Sequence, residues 1–252
     1  MKIRFSVLGA LGLTAAVAVL LPGVPAARAD LYVIESTVPS IKPRTRLLGD
    51  DNLTIPAGGS VRAVLPDGKT QTIKGPYNGR VSDLDKGAAR NEGVLGWLRN
   101  ILQTGGATET TPGATRSIAR KAATPRTGFS WTVVPVTLLD GTNNVCVPKG
   151  AKLMLARAYS VRADRVAVVE AASSERGEAQ WGPGSDTTAW PRGVAVRPDA
   201  TYYFLMPDKP RRQVTLRVME RLPADADVLT ELYKLGCRYQ FEAWVRGTLA
   251  SK

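Results

Sequence analysis

The sequence predicts a mainly β protein: a small N-terminal β domain, a linker with one short helix, and a C-terminal β-sandwich closed by a helical hairpin. Three observations predict it. Short apolar, β-favouring runs recur along the chain, separated by Gly, Pro and Asp breaks. Asp67-Gly68 joins two alternating runs, which is hairpin chemistry. From about residue 222 onward the apolar spacing changes from the period of a strand to that of a helix.

Residues 1–29 read as a secretory signal peptide. Lys2 and Arg4 precede a charge-free apolar core from Phe5 to Leu21. Pro22 and Pro25 then break it, and Ala27-Arg28-Ala29 offers small residues for cleavage near Ala29. Removing 29 of the 252 residues leaves 223 and takes away Lys2, Arg4 and Arg28, lowering the formal charge from +12 to +9. No later run reaches the ~20 apolar residues that span a bilayer, so a periplasmic or secreted product without a membrane span is expected.

Residues 30–79 are expected to form the small β domain. Leu31–Ser36 is β-favouring, and Leu53-Thr54-Ile55 is closed by Pro56-Ala57-Gly58-Gly59. Within Ser60–Lys74, Val61, Ala63 and Leu65 alternate with Arg62 and Val64, Pro66-Asp67-Gly68 turns, and Thr70, Thr72 and Lys74 alternate with Gln71 and Ile73; Gly75–Gly79 reads as turn chemistry ending the zone. Residues 80–128 read as a connector. Ser82–Asp85 offers a helix start, and Val94, Leu95, Leu98, Ile101 and Leu102 form one helical stripe with Trp97 beside it. A Gly/Ala/Thr/Pro tract with Arg116, Arg120, Lys121 and Arg126 follows, a basic flexible linker.

Residues 129–221 hold six expected strands, at Trp131–Val136, Val145–Val147, Leu153–Leu155, Val166–Val169, Tyr202–Leu205 and Val214–Val218. Short strands between such breaks predict a sandwich. In residues 222–252, Val228, Leu229, Leu232 and Leu235 form one stripe ended by Gly236, and Phe241, Trp244, Val245 and Leu249 a second. Cys146 and Cys237, 91 residues apart, are the only cysteines; in an exported chain they predict one disulfide joining β structure to the helical end, contributing about 4–5 kcal/mol by loop closure.

The chain has no histidine, which removes His-based triads and His-ligated zinc, and two cysteines are too few for a Cys₄ site. No catalytic residue, cofactor or metal site is expected. Ala63–Thr70 matches a relaxed phosphate-loop spacing but sits on a hairpin, not between a strand and a helix. Ser40 and Lys42 place a hydroxyl near an amine, but among Pro43, Arg44 and Arg46 that lysine is not desolvated. A carboxylate-dependent hydrolase could pair any two carboxylates in space; Glu170, Glu175 and Glu178 cluster in sequence, but on a stretch that reads as a solvated connection. Trp181, Trp190, Tyr202 and Tyr203 are the candidate ligand or interface surface, with burial in the core as the alternative.

Leu47–Asp50, Leu53–Val61 and Val64–Lys69 resemble the repeating β pattern of FecR-like periplasmic domains, with a Gly-Asp before a strand and an apolar-Asp-Gly turn after it. The resemblance covers about fifty residues. It implies a small periplasmic β domain but not transmembrane signalling, because the cytoplasmic segment and membrane span of FecR proteins are missing. The remainder resembles uncharacterised exported proteins of Gram-negative bacteria. The expected function is that of a non-enzymatic accessory or scaffold module in the cell envelope. Its expected partner is another envelope protein; an anionic glycan or peptidoglycan is the alternative, and export argues against nucleic acid.

Overall fold

The structure, a computed structural model, describes residues 30–85, 87, 89–104, 128–138, 144–157 and 161–250. The expected signal peptide and the basic linker residues Arg116, Arg120, Lys121 and Arg126 lie outside the described residues. The described chain is mainly β, with several sheets, no closed barrel and a C-terminal helical pair.

Leu31-Tyr32-Val33-Ile34 is apolar at successive positions, which an alternating strand with one wet face would not be. The reason is that β1 (Leu31–Ser36) is covered on both faces. With β2 (Arg46–Leu47), β4 (Ser60–Val64) and β5 (Thr70–Lys74) it forms an antiparallel sheet in the order β2-β1-β4-β5. Its companion is a ribbon of β3 (Asn52–Ile55) and β6 (Tyr77–Arg80). Leu31, Val33, Val61, Ala63 and Ile73 face the ribbon's Leu53 and Ile55, while Tyr32, Ile34 and Val64 face helices. The β4–β5 turn forms at Asp67-Gly68, where Gly68 takes φ +86° and a Cβ would stand 3.0 Å from Val94. Strand β6 corrects the expectation that Gly75–Gly79 is only turn: Asn78 pairs with Thr54 and Tyr77 with Ile55, so cross-strand pairing overrides local turn propensity.

Helix α1 (Glu92–Thr104) carries the predicted stripe, and what buries it comes from both ends of the chain. Val94, Leu95, Leu98 and Ile101 share one core with Tyr32, Ile34 and Val64 and with α2 (Val228–Lys234) and α3 (Arg238–Ala250). Trp97 packs edge-on against Tyr233 at 4.9 Å and Phe241 at 5.3 Å between ring centres. At Gly93 the crossing is too close for a side chain, since a Cβ would lie 2.0 Å from the Tyr233 hydroxyl. Gly236, at φ +71°, follows α2 as the sequence predicts. Arg62 pairs with Asp225, Lys69 with Asp227 at 3.3 Å, and Thr70 Oγ1 donates to the Asp225 carbonyl at 3.0 Å, tying β4 and β5 to the entry of α2.

The C-terminal sandwich has β7 (Val133–Pro135), β8 (Asn144–Pro148), β9 (Met154–Ala156), β10 (Asp164–Glu170), β11 (Arg176–Trp181), β12 (Thr187–Ala189), β13 (Thr201–Leu205) and β14 (Arg212–Met219). One sheet runs β11-β10-β13-β14-β8 and the other β12-β9-β7. Val145, Val147, Leu155, Val166, Val168, Phe204, Val214 and Leu216 fill the space between them. The six expected strands are all present, and β11 and β12 are additional. Strand β11 reads as a connection because Arg176, Glu178 and Gln180 put polar groups on one face. That is the half-solvated alternation of a strand lying over a core. Two pairings, β14–β8 and β7–β9, are parallel.

Strand β8 lies at the edge of the larger sheet, and the helical hairpin closes that edge. Gln240, 1% exposed on α3, accepts a hydrogen bond from Cys146 N at 2.6 Å and donates from Nε2 to Cys146 O at 2.7 Å. One side-chain amide thus does what a neighbouring strand would do. The predicted disulfide joins Cys146 on β8 to Cys237 between α2 and α3, with Cα atoms 5.9 Å apart. Asn144 Nδ2 donates to the Leu235 carbonyl at 3.0 Å beside it.

Gln240→Leu conserves volume but leaves both polar groups of Cys146 unpaired, so urea unfolding is expected to show a loss of about 2–4 kcal/mol; a loss below about 0.5 kcal/mol, the range of neutral surface changes, contradicts this account. Leu98→Ala removes the centre of the shared core and is expected to cost about 2–5 kcal/mol while keeping one cooperative transition. Two separated transitions, one for each β part, contradict a shared core.

Candidate functional site

The four aromatics singled out in the sequence do not form one surface. Trp181 and Tyr202 are each 0% exposed and belong to the sandwich core, so neither offers a face to a ligand. This corrects the surface reading and bears out the core alternative for both. Register explains it: Trp181 and Ala179 on β11 fall on the same side as Val166 and Val168 on β10, the side facing the smaller sheet. Each ring's polar tip is satisfied inside. Trp181 Nε1 donates to the Leu155 carbonyl at 3.3 Å, and the Tyr202 hydroxyl donates to Ala195 O at 2.8 Å while accepting from Arg197 N at 2.9 Å. Trp190 is half-buried, edge-on to Tyr202 at 5.1 Å, and donates to Val194 O at 2.9 Å.

The Gly182–Ser185 turn between the tryptophans is held by Arg157, which is 2% exposed. Its guanidinium donates to the carbonyls of Gly182, Ser185 and Arg162 and lies 5.4 Å from the Trp181 ring centre. A cation that would attract an acidic ligand at the surface is here committed to backbone carbonyls.

The carboxylate cluster resolves in the same way. Glu170 accepts from Ala172 N at 3.1 Å and Ser173 N at 2.6 Å, and Glu175 is gripped by both Arg197 nitrogens at 3.0 and 2.5 Å. Arg197 also stands 3.6 Å from Glu170. Hydrogen bonds from Ser173 and Ala172, helped by Arg197, hold the Glu170 carboxyl below its ordinary pKa; Arg197, then the Ala195 amide, does the same for Glu175. Both groups are held ionised, whereas a general acid needs a raised pKa. Glu178 lies apart from them, exposed on β11 and paired with Arg176 at 3.3 Å. The cluster fastens the 195–197 loop to the β10–β11 turn.

Ser40 and Lys42 are both exposed, so the lysine stays solvated. Residues 63–70 form the β4–β5 hairpin, with Leu65 N donating to Lys69 O at 2.8 Å. No group of three or more metal-ligating side chains occurs among the described residues, and no helix among them is long and apolar enough to cross a membrane.

Tyr203 is the member of the aromatic set that faces outward. It is opposite Val169 on β10, and the next outward pair is Leu205 with Ala167. Leu205 is 37% exposed. The Arg211 guanidinium lies 4.4 Å from the Tyr203 ring centre. Arg165, Arg176, Glu178 and Gln180, all exposed, continue this face across β10 and β11. No signal in the sequence joins these residues, because they come from three strands and the segment just before β14 and meet only through register. Compared with protein-family models, curated proteins and solved structures, the chain has no match.

Glu170 and Glu175 set an acid limit with a definite sign. Their folded pKa values are lowered, so their stabilisation is present above the unfolded glutamate value of about 4.3 and is lost as pH falls through the folded values. Arg197→Ala is therefore expected to lower the melting temperature at pH 7, with the two curves converging as pH falls below the unfolded value of about 4.3. A gap that stays constant with pH contradicts the assignment.

Proposed function

We propose that this chain is an exported, non-enzymatic accessory or scaffold module of the cell envelope, acting through protein–protein contact. The observation that carries the reading is the outward face of the larger sheet, where an aliphatic and aromatic centre lies among arginines instead of under another element. Interfaces are enriched in tyrosine and arginine, and such a face is suited to recognition. The rigid joining of both β parts to one helical core also supports a scaffold role. It fixes two modules relative to each other, as a subunit that positions partners requires. Export is supported by the signal-like residues 1–29 and by the disulfide, a bond that persists in oxidising compartments. We read residues 30–79 as FecR-like; Gly49-Asp50 ahead of β3 and the Asp67-Gly68 turn after β4 support that reading.

The second reading, an anionic glycan or peptidoglycan binder, keeps only the basic character of the same face. Of its aromatic candidates Trp181 and Tyr202 are inside and Trp190 is half-buried. The two readings separate in a crosslinking pull-down of the tagged mature chain from its own envelope, analysed by mass spectrometry. A stoichiometric protein partner is expected. Recovery of glycan fragments alone, or of nothing, overturns the protein–protein reading.

A further inference from the structure

Resting on that reading, we infer that the outward face of β10, β13 and β14 is the docking surface, and that its occupant is an acidic polypeptide segment in which Asp or Glu residues flank apolar side chains. The centre of the face is two cross-strand pairs, Val169 with Tyr203 and Ala167 with Leu205. Ala167 is buried, and Val169, Tyr203 and Leu205, each at least partly exposed, offer hydrocarbon that an apolar side chain can cover. Arg165 and Arg211 border them, both exposed and both without a carboxylate partner among the described residues. The neighbouring cations are already matched: Arg176 pairs with Glu178 at 3.3 Å and Arg217 with Asp199 at 2.7 Å. The face therefore carries two uncompensated positive charges around an apolar strip.

That combination selects among occupants. A second copy of this chain would bring like charges against each other, which disfavours self-docking. The outer face of Tyr203 is occupied by Arg211 at 4.4 Å, so the ring is not free for a sugar to stack on. The aliphatic side chains of Val169 and Leu205 offer a sugar's hydroxyls no hydrogen bond. A carboxylate-bearing peptide satisfies both parts: its acidic groups reach Arg165 and Arg211, and its apolar side chains cover the strip.

The test uses the full mature chain as bait for a phage-displayed random-peptide library, followed by anisotropy titration of the recovered peptides. Enrichment of Asp and Glu beside Leu, Val or aromatic residues is expected. The Arg165→Glu/Arg211→Glu variant is expected to bind those peptides at least tenfold more weakly, about 1.4 kcal/mol. Leu205→Asp is expected to weaken them too. All three positions are exposed, so the variants should melt like the parent, and a melting curve checks this. Recovery of no peptide, of peptides without acidic enrichment, or of peptides that bind the double variant as well as the parent overturns the inference. In the second and third cases the interaction-module reading stands and the surface moves elsewhere. Arginine-dependent binding of a peptidoglycan fragment or sulfated oligosaccharide, with no peptide recovered, overturns the inference in favour of the glycan.

Discussion

The edge of strand β8 is the point on which the rest of the architecture depends. An edge strand leaves a row of backbone donors and acceptors exposed, and a chain that must stay unaggregated has to cover them. Here the Gln240 amide pairs with both polar groups of Cys146, and the Cys146–Cys237 bond holds α2 and α3 in place for it to do so. Once the hairpin is seated there, its opposite side is available to α1 and to the Tyr32, Ile34 and Val64 face of the N-terminal sheet. One closure therefore unites the sandwich, the helices and the small β unit. The closed loop spans 91 residues, which places the disulfide among those that constrain the unfolded chain most.

The remaining strong polar groups serve the same structural purpose. Arg157 is committed to three carbonyls beneath the Gly182–Ser185 turn, and Arg197 binds Glu175 and borders Glu170. Charges matched in this way order loops, and here they hold Glu170 and Glu175 ionised. On the outside, Arg211 lies over Tyr203 and Arg165 stands farther along β10, beyond the Ala167–Leu205 pair. Charge in such a position steers association and sets specificity more than it adds raw affinity.

Much of the fold was legible in the sequence because its signals are local. The Asp67-Gly68 hairpin, the stripe of α1, the Gly236 stop and the pairing of the only two cysteines each rest on residues that state their own geometry. The β11 strand and the second strand of the β3–β6 ribbon were not legible. Their residues are polar or turn-forming, and only a partner strand makes them extended. The aromatic set shows the same boundary more sharply. Tyr202 and Tyr203 are adjacent and nearly identical in chemistry, yet one is 0% exposed and the other faces out, a difference of one step in strand register.

The sequence by itself thus determined the fold class, the disulfide and the lack of any histidine-based chemistry, because composition, short-range spacing and turn residues act within a few positions of each other. Only the tertiary structure decided which faces are covered: that α1 finds its partners at both ends of the chain, that Trp181 is core, and that the Tyr203 face lies open among arginines. Those outcomes depend on register and on contacts between residues over a hundred positions apart, such as Gln240 Nε2 with the Ser130 carbonyl. A linear pattern does not specify such contacts, since many arrangements of the same strands and helices would bury the same stripes.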